Sequence, residues 1–433
     1  MGDLEHRIKE FVAERGVEVV GIAGPERLDG PPSLDPSYTM KGGRSIVSMA
    51  IPMDTDAIYA YLSKRSPSPH NVDQSHGNQR MHRVSKALEE FIISRGNRAR
   101  VVPPNNSYRR SPDVFTTHPS FSHRFGVIAS GIGAQGWSGN VMTREYGASM
   151  YLSPVVTDAL LESDKPLDPR HFIDSSCETC KICARTCAAS MFEEDGEEYV
   201  LLNGALHPRG SRRSIDLCNA SCFGLHGLSP DRKWTSWGPH WIDEWVGRRP
   251  EGGRLATRFK LLERGSTSGD SAARFELIRR TGKTLFSRQL IDQLPLPGDL
   301  PEDQAECDRI MTEHAAKVGV RGFYNHNVLT CGHCALVCGP TVAETARRFR
   351  ALEEGGLVVQ SGSRGRIVRM ASYEEAADAR RGMWKPPILD LIEDNLASLA
   401  LWHRHYFGVE PRSIAANIIY QRKLKRALRE QGV

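Results

Sequence analysis

Four cysteines within eleven residues leave this chain few choices. The run Cys177-Glu-Thr-Cys180-Lys-Ile-Cys183-Ala-Arg-Thr-Cys187 has the spacing C-x2-C-x2-C-x3-C. In that bacterial ferredoxin pattern three thiolates wrap one iron–sulfur cube and the fourth points at a neighbouring cube. A later run, Cys331-Gly-His-Cys334-Ala-Leu-Val-Cys338, adds C-x2-C-x3-C. The expectation is two [4Fe–4S] clusters with crossed ligation. The first takes Cys177, Cys180, Cys183 and Cys338. The second takes Cys187, Cys331, Cys334 and one more, Cys222 or Cys218, with Cys222 favoured because the apolar Phe223 and Leu225 follow it. Paired structural zinc sites are the alternative, but four cysteines so tightly spaced suit a tetrahedral ion poorly. Ala188 stands where a proline usually follows the fourth cysteine, and Gly339 separates Cys338 from Pro340. Cys307, alone on an expected helix, reads as a packed or surface thiol.

The rest of the composition sets the compartment. The chain has 433 residues, ten of them cysteine, with 25% charged residues and a net charge of +5. This is ordinary composition for a chain of two or three domains. No apolar run approaches the roughly 18–20 residues that span a bilayer. The first residues run straight into helical periodicity without an apolar signal core. We therefore expect a cytoplasmic protein with no membrane association, in which clustered cysteines bind metal rather than form disulfides.

Residues 6–15 carry Ile8, Phe11 and Val12 at helical spacing, and Gly16 stops them. Val17–Ala23 and Ser45–Ile51 read as strands. Gln79–Ser94 reads as a helix ended by Gly96, and Ala99–Val102 as a third strand. Strands alternating with helices suggest an α/β sheet over residues 1–165. Residues 103–124 are loop-like and basic. A tryptophan group (Trp234, Trp237, Trp241, Trp245) follows the first cysteine run, either lining a pocket or building a small core. Beyond Thr341 the pattern is helical, with apolar spacing over 388–402 and 414–428. The expected class is α+β: an α/β domain (1–165), a ferredoxin-like domain (166–345) with an insertion over about 223–330, and a helical C-terminal region (346–433).

Gly131-Ile-Gly133-Ala-Gln-Gly136 matches G-x-G-x-x-G. A dinucleotide site needs a strand before it and a helix after it. Residues 121–129 read equally well as helix or strand, and WSGNVMTREYG makes a poor helix, so a dinucleotide is not expected.

The order of these features resembles a known group. SGIGAQGWSGNVMTREYGASMYLSPVVTDALLESDKP (130–166), followed at once by CETCKICARTC, is similar to the corrinoid-dependent reductive dehalogenases and the related epoxyqueuosine reductases. The VEVVGIA strand and the GGRSIVSMAIP segment are similar to their N-terminal half. The resemblance implies base-off cobalamin, a corrinoid, over a nitroreductase-like α/β first domain, lined by Gly131, Gly133, Gly136, Asn140, Tyr146 and Gly147. It also implies that one cluster passes electrons to cobalt while the other receives them from an external low-potential donor of ferredoxin or flavodoxin type. No Asp-x-His-x-x-Gly motif is present to supply a lower histidine ligand.

A nearby acid must supply the proton. The stretch that would carry it, PPNNSYRRSPDVFTTHPSFSHR, departs from both families. Tyr108 with Arg109 or Arg110 could take the acid and partner roles, with Asp113, His118 and His123 as rivals. The leading reading is a cobalamin-dependent iron–sulfur oxidoreductase of reductive dehalogenase type, acting on a carbon–halogen or similarly activated bond of a small molecule. An epoxyqueuosine-reductase-like enzyme is the second reading, with tRNA as partner and basic Arg422, Lys423, Lys425, Arg426 and Arg429 as phosphate contacts. A non-catalytic electron-transfer or corrinoid carrier protein is the third.

Overall fold

The computed structural model describes residues 3–66, 68–102, 119–167, 176–188, 190–212, 229, 231–236, 332–360, 367–381 and 411–433. Tyr108, Arg109, Arg110, Asp113, His118, Cys218, Cys222, Cys307, Cys331, Trp237, Trp241, Trp245 and the segment 388–402 lie outside them.

Helix α1 (Asp3–Ala13) buries Ile8 and Val12 on one face, and Gly16 at φ +71° turns the chain out of it. Strands β1 (Val19–Ala23) and β2 (Ser45–Pro52) follow, then α2 (Thr55–Leu62), α3 (Ser68–Ile93) and β3 (Ala99–Val101). Asp54 caps α2 by accepting from the Ala57 N–H. Helix α4 (His123–Ala129) leads to a short hairpin, β4 (Ala134–Gln135) with β5 (Val141–Met142), and then β6 (Met150–Thr157). The main sheet runs β1-β2-β6-β3 with every pair antiparallel, Val19 opposite Ala50 and Ser45 opposite Thr157.

Alternation along β2 decides what each face meets. Val47, Met49 and Ile51 join a core with Ile8, Val12, Leu88 and Ile92 of α1 and α3. Ile46 and Ala50 join a second core with Val127 and Ile128 of α4. Both faces are covered, so the strands read as unbroken apolar runs although the sheet is antiparallel. The first unit is thus α+β in its own right, not a sheet of alternating βαβ units.

The cysteine-bearing helices come next, α5 (Ser176–Cys180) and α6 (Ile182–Arg185). They run into a long hairpin, β7 (Phe192–Leu202) with β8 (Ala205–Arg212). After the second cysteine run come α7 (His333–Leu336), α8 (Val342–Gly355), the hairpin β9 (Val358–Gln360) with β10 (Ile367–Arg369), α9 (Tyr373–Arg381) and α10 (Pro411–Glu430). The region beyond 346 therefore carries a β-hairpin among its helices. Helix α7 packs on α6, which brings the two cysteine runs together across about 150 residues of sequence. No helix among the described residues is long and apolar enough to cross a membrane.

The Gly131–Gly136 turn follows helix α4 and enters a hairpin. Neither flank of a dinucleotide site is present.

Candidate iron–sulfur centre

The first cysteine loop is two short helices hinged at Lys181, whose φ of +43° reverses the chain between Cys180 and Cys183. Gly332 does the same ahead of α7, at φ +59°. These left-handed residues let short segments wrap their thiols around a common volume. The electrostatics report that proximity. Burial first, and then the fields of Cys334, Cys338, Cys177 and Cys180, push the Cys183 thiol well up. Burial and the same neighbours push Cys338 up to about 12, against the Ala148 N–H that favours its thiolate. Neighbouring sulfurs thus oppose ionisation of Cys183 and Cys338, a field that a positive iron core relieves. Cys334 shares this field, so it does not separate the ligands expected for the first cluster from those of the second.

Cys187 is not among the charges that act on Cys183 or Cys338. The Met191 backbone N–H donates to its Sγ at 3.4 Å, and it packs with Trp137, Met191 and Phe192. Six cysteines, Cys177, Cys180, Cys183, Cys187, Cys334 and Cys338, are described, and none forms a disulfide.

The surroundings fit an iron–sulfur group. Three N–H donors aim at sulfur: Trp137 N to Cys177 Sγ at 3.4 Å, Met191 N to Cys187 Sγ at 3.4 Å, and Asn140 Nδ2 to Cys334 Sγ at 3.2 Å. Such bonds stabilise the electron-rich sulfurs of a cluster.

The glycine turn belongs to the same centre. Trp137 touches the first cysteine run, Asn140 reaches Cys334, and Met142 Sδ lies 3.7 Å from Cys338 Sγ. Ala148 N donates to the Cys338 carbonyl at 3.0 Å. Gly147, at φ +61°, backs onto the carbonyls of Gly339 and Cys338. The Cβ sides of Gly131, Gly133 and Gly136 likewise face Lys165 and Met142. These glycines answer to the chain's own packing. A corrinoid on this turn would be met by its backbone and by Tyr146, whose phenol is pushed up by burial and then by Glu18 and Glu145. The turn's position fits the role, because it touches both cysteine runs.

Helix α8 braces the second run. Arg348, 3% exposed, donates to Glu344 Oε1 at 2.8 Å, Ser149 Oγ at 2.7 Å and the Leu336 carbonyl at 3.0 Å. Ser149 Oγ donates onward to the Ala335 carbonyl at 2.8 Å. Burial opposes ionisation of Glu344, but Arg348, with Arg347 and the Tyr59 hydroxyl, prevails and holds its carboxyl below the usual range. Sequence reasoning missed this brace. Its one local sign is the Thr341-x-x-Glu344 cap that starts α8.

His123 is not poised as a proton donor. Its ring nitrogens lie 3.0 Å and 3.1 Å from the carbonyls of Leu152 and Val102, and burial lowers its pKa to about 4 despite them. The neutral ring can donate to only one. A half-buried pair that the sequence did not suggest stands elsewhere, where Tyr151 Oη donates to Asp73 Oδ2 at 2.7 Å. Of the basic residues on α10, Lys423 is bound to Asp29 and Arg426 to Glu430. Trp234 is fully buried, edge-on to His333, as part of a core with Ile58, Tyr61 and Leu352.

No family model matches the chain. A tetrachloroethene reductive dehalogenase of Sulfurospirillum multivorans is 36% identical to it over 68 residues. The dehalogenase match spans 16% of this chain and 13% of that protein. Among solved structures, the catabolic reductive dehalogenase NpRdhA superposes with a TM-score of 0.37 at 16% identity, covering 67% of this chain and 38% of that one. Epoxyqueuosine reductases of Streptococcus thermophilus and Bacillus subtilis give TM-scores of 0.31 and 0.33 at 14% identity, covering 74% and 81% of this chain and 100% and 99% of theirs. The chain thus spans well under half the length of the dehalogenases it matches.

Proposed function

We propose that the chain is a corrinoid-dependent iron–sulfur reductase of dehalogenase type, cleaving a carbon–halogen or similarly activated bond of a small molecule. One observation carries the reading: the Gly131–Gly147 turn, which the sequence resemblance assigns to the corrinoid, touches both cysteine runs. Cofactor and wire would then share one body. Bound there, a corrinoid supplies low-valent cobalt chemistry, so that R–X plus two electrons and a proton gives R–H and X⁻.

The chain's residues have separate tasks. Cys177, Cys180, Cys183 and Cys338 hold one [4Fe–4S] cluster, and Cys187, Cys331, Cys334 and Cys222 hold the other. Trp137, Met191 and Phe192 keep water from the first cysteine loop. Tyr108 with Arg109, or His118, delivers the proton. An external ferredoxin- or flavodoxin-type donor supplies electrons one at a time, in the cytoplasm. The short dehalogenase match favours an organohalide over a modified tRNA base.

Protein loaded anaerobically with iron, sulfide and corrinoid decides between them. Halide release from a brominated phenol under a low-potential reductant supports the proposal. Turnover of epoxyqueuosine in tRNA without halide release would replace it with the second activity. Tyr108→Phe should abolish turnover while leaving cluster content intact, and unchanged turnover rejects that acid.

A further inference from the structure

Trp137 lies where the mechanism above gives it no chemistry beyond excluding water. It follows the last glycine of the turn, is 5% exposed, and packs against Cys177, Cys183, Ala184 and Cys187. Several contacts fix its plane. The Phe192 ring lies 5.0 Å from it, tilted by 40°. Lys181 Nζ stands 5.4 Å over its face. The backbone of Gly210 on β8 presses its edge so closely that a Cβ there would come within 2.5 Å of Cζ2. Its carbonyl accepts from Gly210 N at 2.7 Å, and its own N–H is spent on Cys177 Sγ.

With everything else committed, the indole Nε1–H is buried and meets no acceptor among the described residues. A buried donor without a partner costs about 1–3 kcal/mol, and tryptophan in a packed site normally finds one. The acceptor-rich group that the first cysteine loop is built to hold would supply it.

We propose that Trp137 is a positioning residue for the redox centre: its indole N–H donates to a sulfur of the iron–sulfur cluster held by Cys177, Cys180 and Cys183. This rests on the two-cluster reading given above. An N–H···S bond strengthens as the cluster gains an electron, so it favours the reduced state. The Lys181 ammonium above the ring adds a favourable charge on the same side. Trp137 thereby raises the potential of this cluster.

The test replaces Trp137 with 3-benzothienylalanine, which keeps the ring's size and puts sulfur in place of the N–H, alongside Trp137→Phe. Each iron-loaded protein is titrated electrochemically, with the reduced clusters read by electron paramagnetic resonance. The expected result is about a tenfold fall in the reduced-to-oxidised ratio of one cluster at fixed potential, equal to 59 mV for one electron, with the other cluster unmoved. Pulsed double resonance in H₂O against D₂O should show one exchangeable proton fewer coupled to that cluster. A benzothienyl protein with full iron content and unchanged potentials overturns the proposal and leaves the two-cluster reading standing. A wild-type chain that gives no cluster signal overturns both.

Discussion

Replacing Arg348 with methionine should loosen the second cysteine run without touching a cysteine. The side chain is almost wholly buried, and its three bonds tie Glu344 of α8, Ser149 at the head of β6 and the Leu336 carbonyl of α7 into one brace. Methionine keeps the aliphatic volume and leaves the Glu344 carboxylate with only the half-exposed Arg347 and the Tyr59 hydroxyl as partners, and the Leu336 carbonyl without its donor. Breaking a buried ion pair from one side costs about 3–5 kcal/mol. Since about 1.4 kcal/mol is a factor of ten, 3 kcal/mol is about 150-fold in the local opening equilibrium. Hydrogen exchange of the amides over 333–338 in the iron-loaded protein should quicken by about that factor, while the β2 and β6 amides keep their protection. Arg348→Met combined with Glu344→Gln removes the stranded charge and should recover at least half of the loss. Exchange within about threefold of wild type in Arg348→Met would refute the brace.

Gly147→Ala meets a positive φ and the Gly339 and Cys338 carbonyls at once. It should lower iron bound per chain by about half, read by colorimetric iron assay, because the second run must move away from the turn. Cys338→Ser and Cys187→Ser should each remove one cluster signal, and the double variant both. An equal loss of both signals in either single variant would contradict the crossed sorting. His123 is neutral in the fold, with its pKa lowered to about 4 from 6.5, mainly by burial. Its contribution is therefore complete above pH 6.5 and is lost as pH falls toward 4, by about 3 kcal/mol. The urea midpoint should show that acid slope, and His123→Gln should flatten it. Glu344 works in the same sense at lower pH: its carboxyl is held below the usual range, so the brace persists at neutral pH and gives way as acid protonates it.

The elements with strong periodicity were legible in the sequence, and α1, β1, β2 and the C-terminal half of α3 fall where apolar spacing and Gly16 or Gly96 put them. Helix α4 stayed ambiguous because seven residues hold barely two turns. The β7–β8 hairpin was overlooked because acidic residues crowd β7 and hide the alternation. Its tip, Asn203-Gly204 with φ of +49° and +78°, carried the signal all the same. The cysteine ladder was legible because ligand spacing is local. The brace and the seat of Trp137 were not, since they join residues far apart in sequence. Asn140 shows the same limit: its side-chain amide donates to Cys334, 194 residues away, a contact no local pattern carries.

The most direct measurement is the stoichiometry of the anaerobically loaded chain. Two [4Fe–4S] clusters and one corrinoid predict about eight irons and one cobalt per polypeptide, with a base-off corrinoid spectrum that responds to reduction of the clusters. One or two zinc ions in place of iron, or an iron-loaded chain that takes up no corrinoid, would contradict the account.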